Sequence, residues 1–228
     1  MDRPDRMETL VPYTGDVTVG GPADVRTAGC LEITKVATNP FENNCYLLRC
    51  TATGDVLLVD AAGDAPVLLG LLGDGRLVGV LETHGHWDHV QALAEVKEAT
   101  GAPVLVHPGD AGMLPVPADR LVEDGERITV GQCTLTAVHL EGHTPGSLAL
   151  LYEGDPERPH LFSGDSLFPG GAGNTEKDPV RFGTLLDDLE RKVFGPLPDE
   201  TWVYPGHGKD TTLGAERPSL PEWRERGW

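Results

Sequence analysis

The stretch ETHGHWDHVQAL, Glu82–Leu93, places His84, His86, Asp88 and His89 within six residues of a chain with eight histidines. Neutral imidazoles and carboxylates are good ligands for zinc and iron. The preceding run RLVGVL reads as a strand that leads straight into this cluster. Alternation along an extended chain sends His84 and His86 to one side. The pattern DHVQALAEVKEATG reads as a helix, with Val90, Leu93 and Val96 at helical spacing and Gly101 as its stop. The start of that helix turns Asp88 and His89 back toward the other two histidines. Asp88 also suits the N-cap position, which does not exclude a metal role. A chance polar loop is the competing account, but H-x-H-x-D-H is far more specific than isolated histidines.

Three later positions extend the set. His143 lies in EGHTPGS, Asp165 in FSGDSLF and His207 in VYPGHGKD, each after an apolar run and in or next to a glycine turn. Taken singly, Asp165 reads as a turn aspartate and His207 as a solvated loop histidine. Taken with the first cluster, they read as further metal ligands. His107, His139 and His160 have no partner motif and read as structural or exposed. Asp60, which ends VLLVDA, reads either as a strand terminator or as a carboxylate that orients a ligand imidazole.

The elements that must hold these residues are legible as short runs. LEITKVAT, NCYLLRC, DVLLVDA, APVLVH, SLALLYEG, HLFSGDSLF and TWVYPGHG read as strands, and ERITVGQCTLTAVHL as two strands about a glycine turn. DAPVLLGLL reads as a short helix with Pro66 in its first turn. RFGTLLDDLERKVFGPL reads as a helix with Leu185, Leu189 and Val193 on one face. Strands and helices alternate in two groups, so the expected class is mixed α/β with two sheets covered by helices. No repeat or interior linker is visible, so residues 1–228 are expected to form one domain. Residues 1–27 are read as an N-terminal arm or edge segment.

The motifs THGHWDH, GHTPGS, SGDSLF and PGHG resemble, in that order, those of the metallo-β-lactamase fold hydrolases. The resemblance runs from about Leu31 to the C-terminus and implies an αβ/βα four-layer sandwich of two mixed β-sheets flanked by helices. It also implies two divalent metal ions, most simply zinc, with iron or manganese as alternatives. His84, His86 and His143 would hold the first ion, Asp88, His89 and His207 the second, and Asp165 would bridge them. Asp88 and Asp165 would be the carboxylates of the catalytic centre. Within the superfamily the chain is most similar to short glyoxalase II-like thioesterases, through YPGHGKDTTLGAERP. It departs from them in three ways. Glu141 stands where a proline often precedes the Gly-His turn. Asn174 stands about where a basic residue helps hold glutathione. Only 21 residues follow His207, where full-length members carry a helical domain.

The chemistry this implies is hydrolysis of a small-molecule thioester by a hydroxide shared between two metals about 3.5–4 Å apart. No G-x-S-x-G nucleophile is present. Lys177 and Arg181 follow the Asp165 loop and could meet a substrate carboxylate, although simple surface charge accounts for them as well. The alternative on the same fold is a mononuclear iron persulfide dioxygenase using His84, His143 and Asp165. A metal that merely braces the fold is the non-enzymatic alternative.

Composition bounds the rest. With 18 basic and 36 acidic residues the formal charge is −18, which repels phosphate backbones and argues against nucleic-acid binding. The N-terminus MDRPDRMETLVPY has no apolar signal core, and no apolar run reaches about 18 residues. A cytoplasmic protein that does not enter a membrane is therefore expected. The cysteines at 30, 45, 50 and 133 form no C-x-x-C and are expected as thiols in a reducing compartment. Composition bears on neither the oligomeric state nor the acyl group.

Overall fold

A computed structural model describes residues 13–227. The first sheet has seven strands in chain order. They are β1 (Asp24–Ala28), β2 (Leu31–Thr38), β3 (Asn43–Cys50), β4 (Asp55–Val59), β5 (Arg76–Leu81), β6 (Val104–Val106) and β7 (Arg120–Leu121). The second sheet contains β8 (Arg127–Val130), β9 (Cys133–His139), β10 (Leu148–Tyr152), β11 (His160–Gly164), β14 (Trp202–Pro205) and β15 (Thr211–Thr212). A small hairpin, β12 (Leu167–Phe168) with β13 (Gly171–Ala172), stands apart. Both large sheets mix parallel and antiparallel pairs.

The strands alternate between two buried environments. Along β3, Tyr46, Leu48 and Cys50 face the core between the sheets, whereas Cys45 and Leu47 face the outer layer. The outer layer of the first sheet is α1 (Ala65–Leu72) and α2 (Leu93–Thr100). The second sheet is covered by α3 (Pro179–Asp188), its π-helical continuation Leu189–Phe194, and, beyond the short α4 (Leu213–Glu216), α5 (Leu220–Arg226). Burial on both faces explains why the strands read as nearly unbroken apolar runs. The expected αβ/βα sandwich is the fold observed.

Differences from the sequence reading are local. α2 begins at Leu93 rather than at Asp88, and Ala92 occupies its N-cap position. Residues 82–86 instead run as irregular chain and residues 87–92 as turns and a bend, so Asp88 is not a helix cap. Within the stretch read as an arm or edge, residues 24–28 pair with β2 as the edge strand β1, and residues 1–12 lie outside the described residues. His160, read as structural or exposed, is structural: it begins β11 fully buried, between Tyr204 Oη and Asp155 Oδ2 at 2.8 Å each.

The expectation of four thiols is also corrected. Cys30, at the β1–β2 turn, and Cys133, at the start of β9, form a disulfide that ties one sheet to the other across 103 residues of chain. The reading of a reducing compartment loses the support it drew from free thiols. Only Cys45 and Cys50 remain free. A thiol reagent should therefore titrate two cysteines in the denatured, unreduced protein and four after reduction. Reduction should cost about 2–4 kcal/mol of stability, as for other long disulfide-closed loops. Four reactive thiols before reduction would refute the link.

Among the described residues, no helix is long and apolar enough to cross a membrane.

Candidate metal centre

Strands β9, β11 and β14 run parallel to one another, and so do β4, β5 and β6. Their carboxyl ends meet along one edge of the sandwich, where Leu148 N–H donates to Thr83 O at 2.7 Å from sheet to sheet. Four of the loops that leave these ends carry the candidate ligands. Residues 82–89 follow β5, His143 lies in the loop after β9, Asp165 follows β11 and His207 follows β14. All seven candidate residues come together there. His84, His86 and His143 form one group, Asp88, His89 and His207 a second, and His84, His89 and Asp165 a third. Within each group the ligand atoms lie within 4.8 Å of one another.

The outward bonds set the ring orientations. His143 Nδ1 lies 2.7 Å from Asn174 O, and His207 Nδ1 lies 2.8 Å from Phe41 O. A carbonyl only accepts, so both Nδ1 atoms carry protons. His89 Nδ1 donates to Asp60 Oδ2 at 2.9 Å. Thr83 Oγ1 gives its proton to the same Asp60 oxygen, so at 3.1 Å it accepts from His84 Nδ1. All four rings therefore turn their Nε2 atoms inward. These approach to 3.3 Å between His84 and His143 and to 3.2 Å between His89 and His207. Facing Nε2 atoms need a proton or a metal cation between them, and with carboxylates converging on the same space this donor set fits metal ions.

Asp165 sits between the two groups. Its Oδ2 is 3.6 Å from His143 Nε2 and 3.5 Å from His207 Nε2, and its Oδ1 is 3.4 Å from His89 Nε2. Oδ1 is buried without a hydrogen-bond partner, as befits an atom reserved for a cation. Burial alone would raise the Asp165 carboxyl, but His89 and His207 hold it well below the usual carboxylate range. Burial pushes the imidazoles of His84 and His143 down, which keeps them in the neutral, ligating form. His89 is also buried, but the Asp165 and Asp60 carboxylates outweigh that burial and raise it.

Close approach at this edge requires glycine. A Cβ on Gly206 would fall 2.1 Å from Asp165 Oδ1, and one on Gly173 would fall 1.8 Å from Asp165 O.

Several residues that support the centre carry no sequence signal of their own. Asn43 donates to Asp88 Oδ2 at 3.1 Å. Asp110, fully buried, accepts from Gly85 N–H and Gly146 N–H, so one carboxylate joins the His84 loop to the His143 loop. Buried Lys35 donates to Gly208 O, Gly15 O and Asp210 Oδ1, and so pins the loop that carries His207. Arg181 is not aimed at a substrate. Its guanidinium binds the carbonyls of Gly142 and His143 and so braces the loop of His143. Lys177 instead lines a cavity of about 330 Å³ beside His143, together with Asn174, Thr175 and Arg226. His107 and His139 lie outside the centre and stack on each other at 4.0 Å.

Asp60 orients His89 and also accepts Thr83 N–H at 2.6 Å, all from a left-handed backbone with φ 59°. Replacing it with asparagine removes the charge that fixes the His89 tautomer. Metal affinity should fall about 10–100-fold, measured by competition with a chromophoric chelator. An unchanged affinity would mean that Asp60 serves only the strand end.

Comparison with known proteins agrees with this geometry. The family model described as the metallo-beta-lactamase superfamily matches residues 38–207. A hydroxyacylglutathione hydrolase of Fuscovulum blasticum is 38% identical over 168 residues, which is 73% of this chain and 62% of that protein. This chain therefore spans less than two thirds of that relative's length. The crystal structure of ETHE1 from Myxococcus xanthus superposes with a TM-score of 0.74 at 28% identity, covering 85% of this chain and 84% of that one. The crystal structure of TTHA1623 in a di-iron-bound form superposes with a TM-score of 0.66 at 33% identity, covering 82% and 98%.

Proposed function

This chain belongs to the metallo-beta-lactamase superfamily, and from that premise we propose that it is a two-metal hydrolase acting on a thioester. The observation that carries the proposal is the set of four inward Nε2 atoms around the unpartnered Oδ1 of Asp165. His84, His86 and His143 would hold one divalent ion, Asp88, His89 and His207 the other, with Asp165 between them. Five imidazoles and two carboxylates suit zinc first, with iron or manganese as alternatives. When bound, such a pair supplies a nucleophilic hydroxide at neutral pH and polarises the scissile carbonyl.

The protein's own part is positional and electrostatic. Asp165, held ionised, sets the spacing of the two halves of the site. Asp88, oriented by Asn43, turns Oδ2 toward His207 and His89 at 3.6 and 3.8 Å and would hold the second ion through that oxygen, leaving proton acceptance from water to its other oxygen. A departing thiolate has a pKa near that of cysteine, about 8.5, so it leaves without a dedicated acid. Lys177, in the cavity beside His143, is placed to meet an anionic group on the thiol carrier.

The similarity to a hydroxyacylglutathione hydrolase supports a thioester as the substrate class. The alternative, a mononuclear iron oxygenase, would use His84, His143 and Asp165 and leave Asp88, His89 and His207 without work. Their convergence favours the two-metal reading. Metal analysis of protein from metal-replete cells, followed by assay against a hydroxyacylglutathione and simple acyl thioesters, tests both. About two ions per chain with thioester cleavage sustains the proposal. One iron per chain with no cleavage rejects it in favour of the oxygenase.

A further inference from the structure

Two large aromatic side chains stand in solvent at the rim of the metal centre. Phe41 is 51% exposed and Trp87 is 61% exposed. Their rings meet edge to face at 5.0 Å and 86°. Neither placement is incidental to the centre. Trp87 lies in the chain between His86 and Asp88, and the carbonyl of Phe41 is the acceptor for His207 Nδ1. The turn that carries Phe41 is fastened to the ligand loop by Asn39, whose amide donates to Asp88 O at 3.1 Å and to Ala62 O at 3.0 Å. That turn is built from left-handed, non-glycine residues at Asn39 and Glu42, with φ 53° and 57°. Such conformations persist where surrounding contacts impose them.

Two further apolar groups continue the rim. Met113, 44% exposed, packs against the backbone of Gly85 between His84 and His86. The ring of Phe168 lies 6.2 Å from that of His207. Phe41, Trp87 and Met113 are three of the eight large hydrophobics exposed among the described residues, and each adjoins a segment that carries candidate ligands. An exposed apolar patch at the mouth of a polar site marks a binding surface. Phe41 and Trp87 adjoin Asp88 and His207 and are not among the residues that line the Lys177 cavity.

We propose that Phe41 and Trp87 form an apolar subsite that receives an aromatic or alkyl group of the substrate while the scissile carbonyl lies over the metal centre. The proposal rests on the thioester reading above and narrows it. The substrate class is a thioester with a bulky apolar group, rather than one polar on both sides of the bond.

The test uses the metal-loaded protein and matched thioesters. One series keeps a small thiol and varies the acyl group from acetyl to phenylacetyl. The other keeps acetyl and varies the thiol from methyl to benzyl. In at least one series kcat/KM should rise about 10-fold or more with the apolar group, the scale of a well-filled hydrophobic pocket. Phe41→Ala and Trp87→Ala should cut that ratio toward one, chiefly through KM, and Trp87→Phe should restore part of it. Val67→Ala, which truncates an exposed apolar residue on α1, should leave the ratio as it is. A ratio near one in the wild type, or one that survives both alanine variants, overturns the proposal.

Calorimetric binding of benzyl mercaptan against methyl mercaptan gives a readout that needs no turnover. If no thioester is cleaved, the function proposed above fails. The apolar subsite then stands only if benzyl mercaptan binds about 10-fold more tightly than methyl mercaptan and Trp87→Ala removes the difference; without that difference it falls as well. Sedimentation closes the remaining route. A wild-type dimer that dissociates in Trp87→Ala would show that a second copy covers the pair, and would overturn the proposal.

Discussion

Asp165→Ala is expected to lower kcat/KM for a cleaved thioester by about 10³-fold or more, while the chain keeps its fold. The size of the loss follows from what the carboxylate does. A water held by metal would ionise near neutral pH, far more readily than bulk water, so losing the residue that reaches both halves of the site would cost the nucleophile and not only a contact. Asp165 is the one candidate ligand whose two oxygens reach both sides, toward His143 and His207 through Oδ2 and toward His89 through Oδ1. Its removal also leaves His89 and His207 without the charge that raises them. Metal content should drop from about two ions per chain to one or fewer. Circular dichroism, metal analysis and steady-state kinetics on the same preparation separate the cases. A folded variant that keeps more than a tenth of wild-type activity would remove Asp165 from the mechanism.

Stripping the metal is expected to lower the melting temperature by roughly 8–16 °C. Ligand present at about 1,000 times its Kd stabilises the folded state by about 4 kcal/mol. For a chain of this size each kcal/mol moves the midpoint by about 2–4 °C. The physical cause is local. Without a cation, the inward Nε2 atoms of His84 and His143, both pushed toward the neutral form by burial, face each other at 3.3 Å, and the raised imidazoles of His89 and His207 crowd together at 3.2 Å.

The same groups set the pH dependence. In the stripped protein His84 and His143 lie below the ordinary imidazole value, so the unfolded chain takes up protons first, and their contribution is lost as pH falls below about 6.5. His89 and His207 are raised and act with the opposite sign, stabilising at low pH and losing that effect as pH rises through their raised values. These contributions partly cancel. In the loaded protein every imidazole must be neutral, so acid weakens metal binding. The chelator-induced shift should therefore shrink between pH 8 and pH 5.5. Scanning calorimetry with and without chelator reads it directly, and a shift under about 2 °C at pH 8 would mean that no tightly held metal is present.

Much of this protein can be read without coordinates. Metal chemistry demands particular residue types, and short-range geometry demands particular neighbours. His84, His86, Asp88 and His89 fit within six residues, while His143, Asp165 and His207 each sit in or beside a glycine turn after an apolar run. Strand runs buried on both faces have a composition of their own, so the two sheets and their helical layers are legible too. Periodicity misled at Asp88, because apolar spacing from Val90 onward looks helical, whereas residues 87–92 form turns and a bend and the helix starts only at Leu93.

What the chain alone could not reveal is whatever depends on groups far apart in sequence. Asn43, Asp110 and Lys35 have no ligand signature, and they matter because folding brings them to atoms 45, 36 and 173 residues away. Arg181 reads as a possible substrate hand until the fold turns it onto the carbonyls of Gly142 and His143. The Cys30–Cys133 link and the Phe41–Trp87 rim belong to the same class. Ligand identity is a local property of the sequence, because each side chain carries its own donor atom. Orientation, burial and partnership are properties of the packed sandwich, because only packing decides which donor atoms face one another and which are left to water.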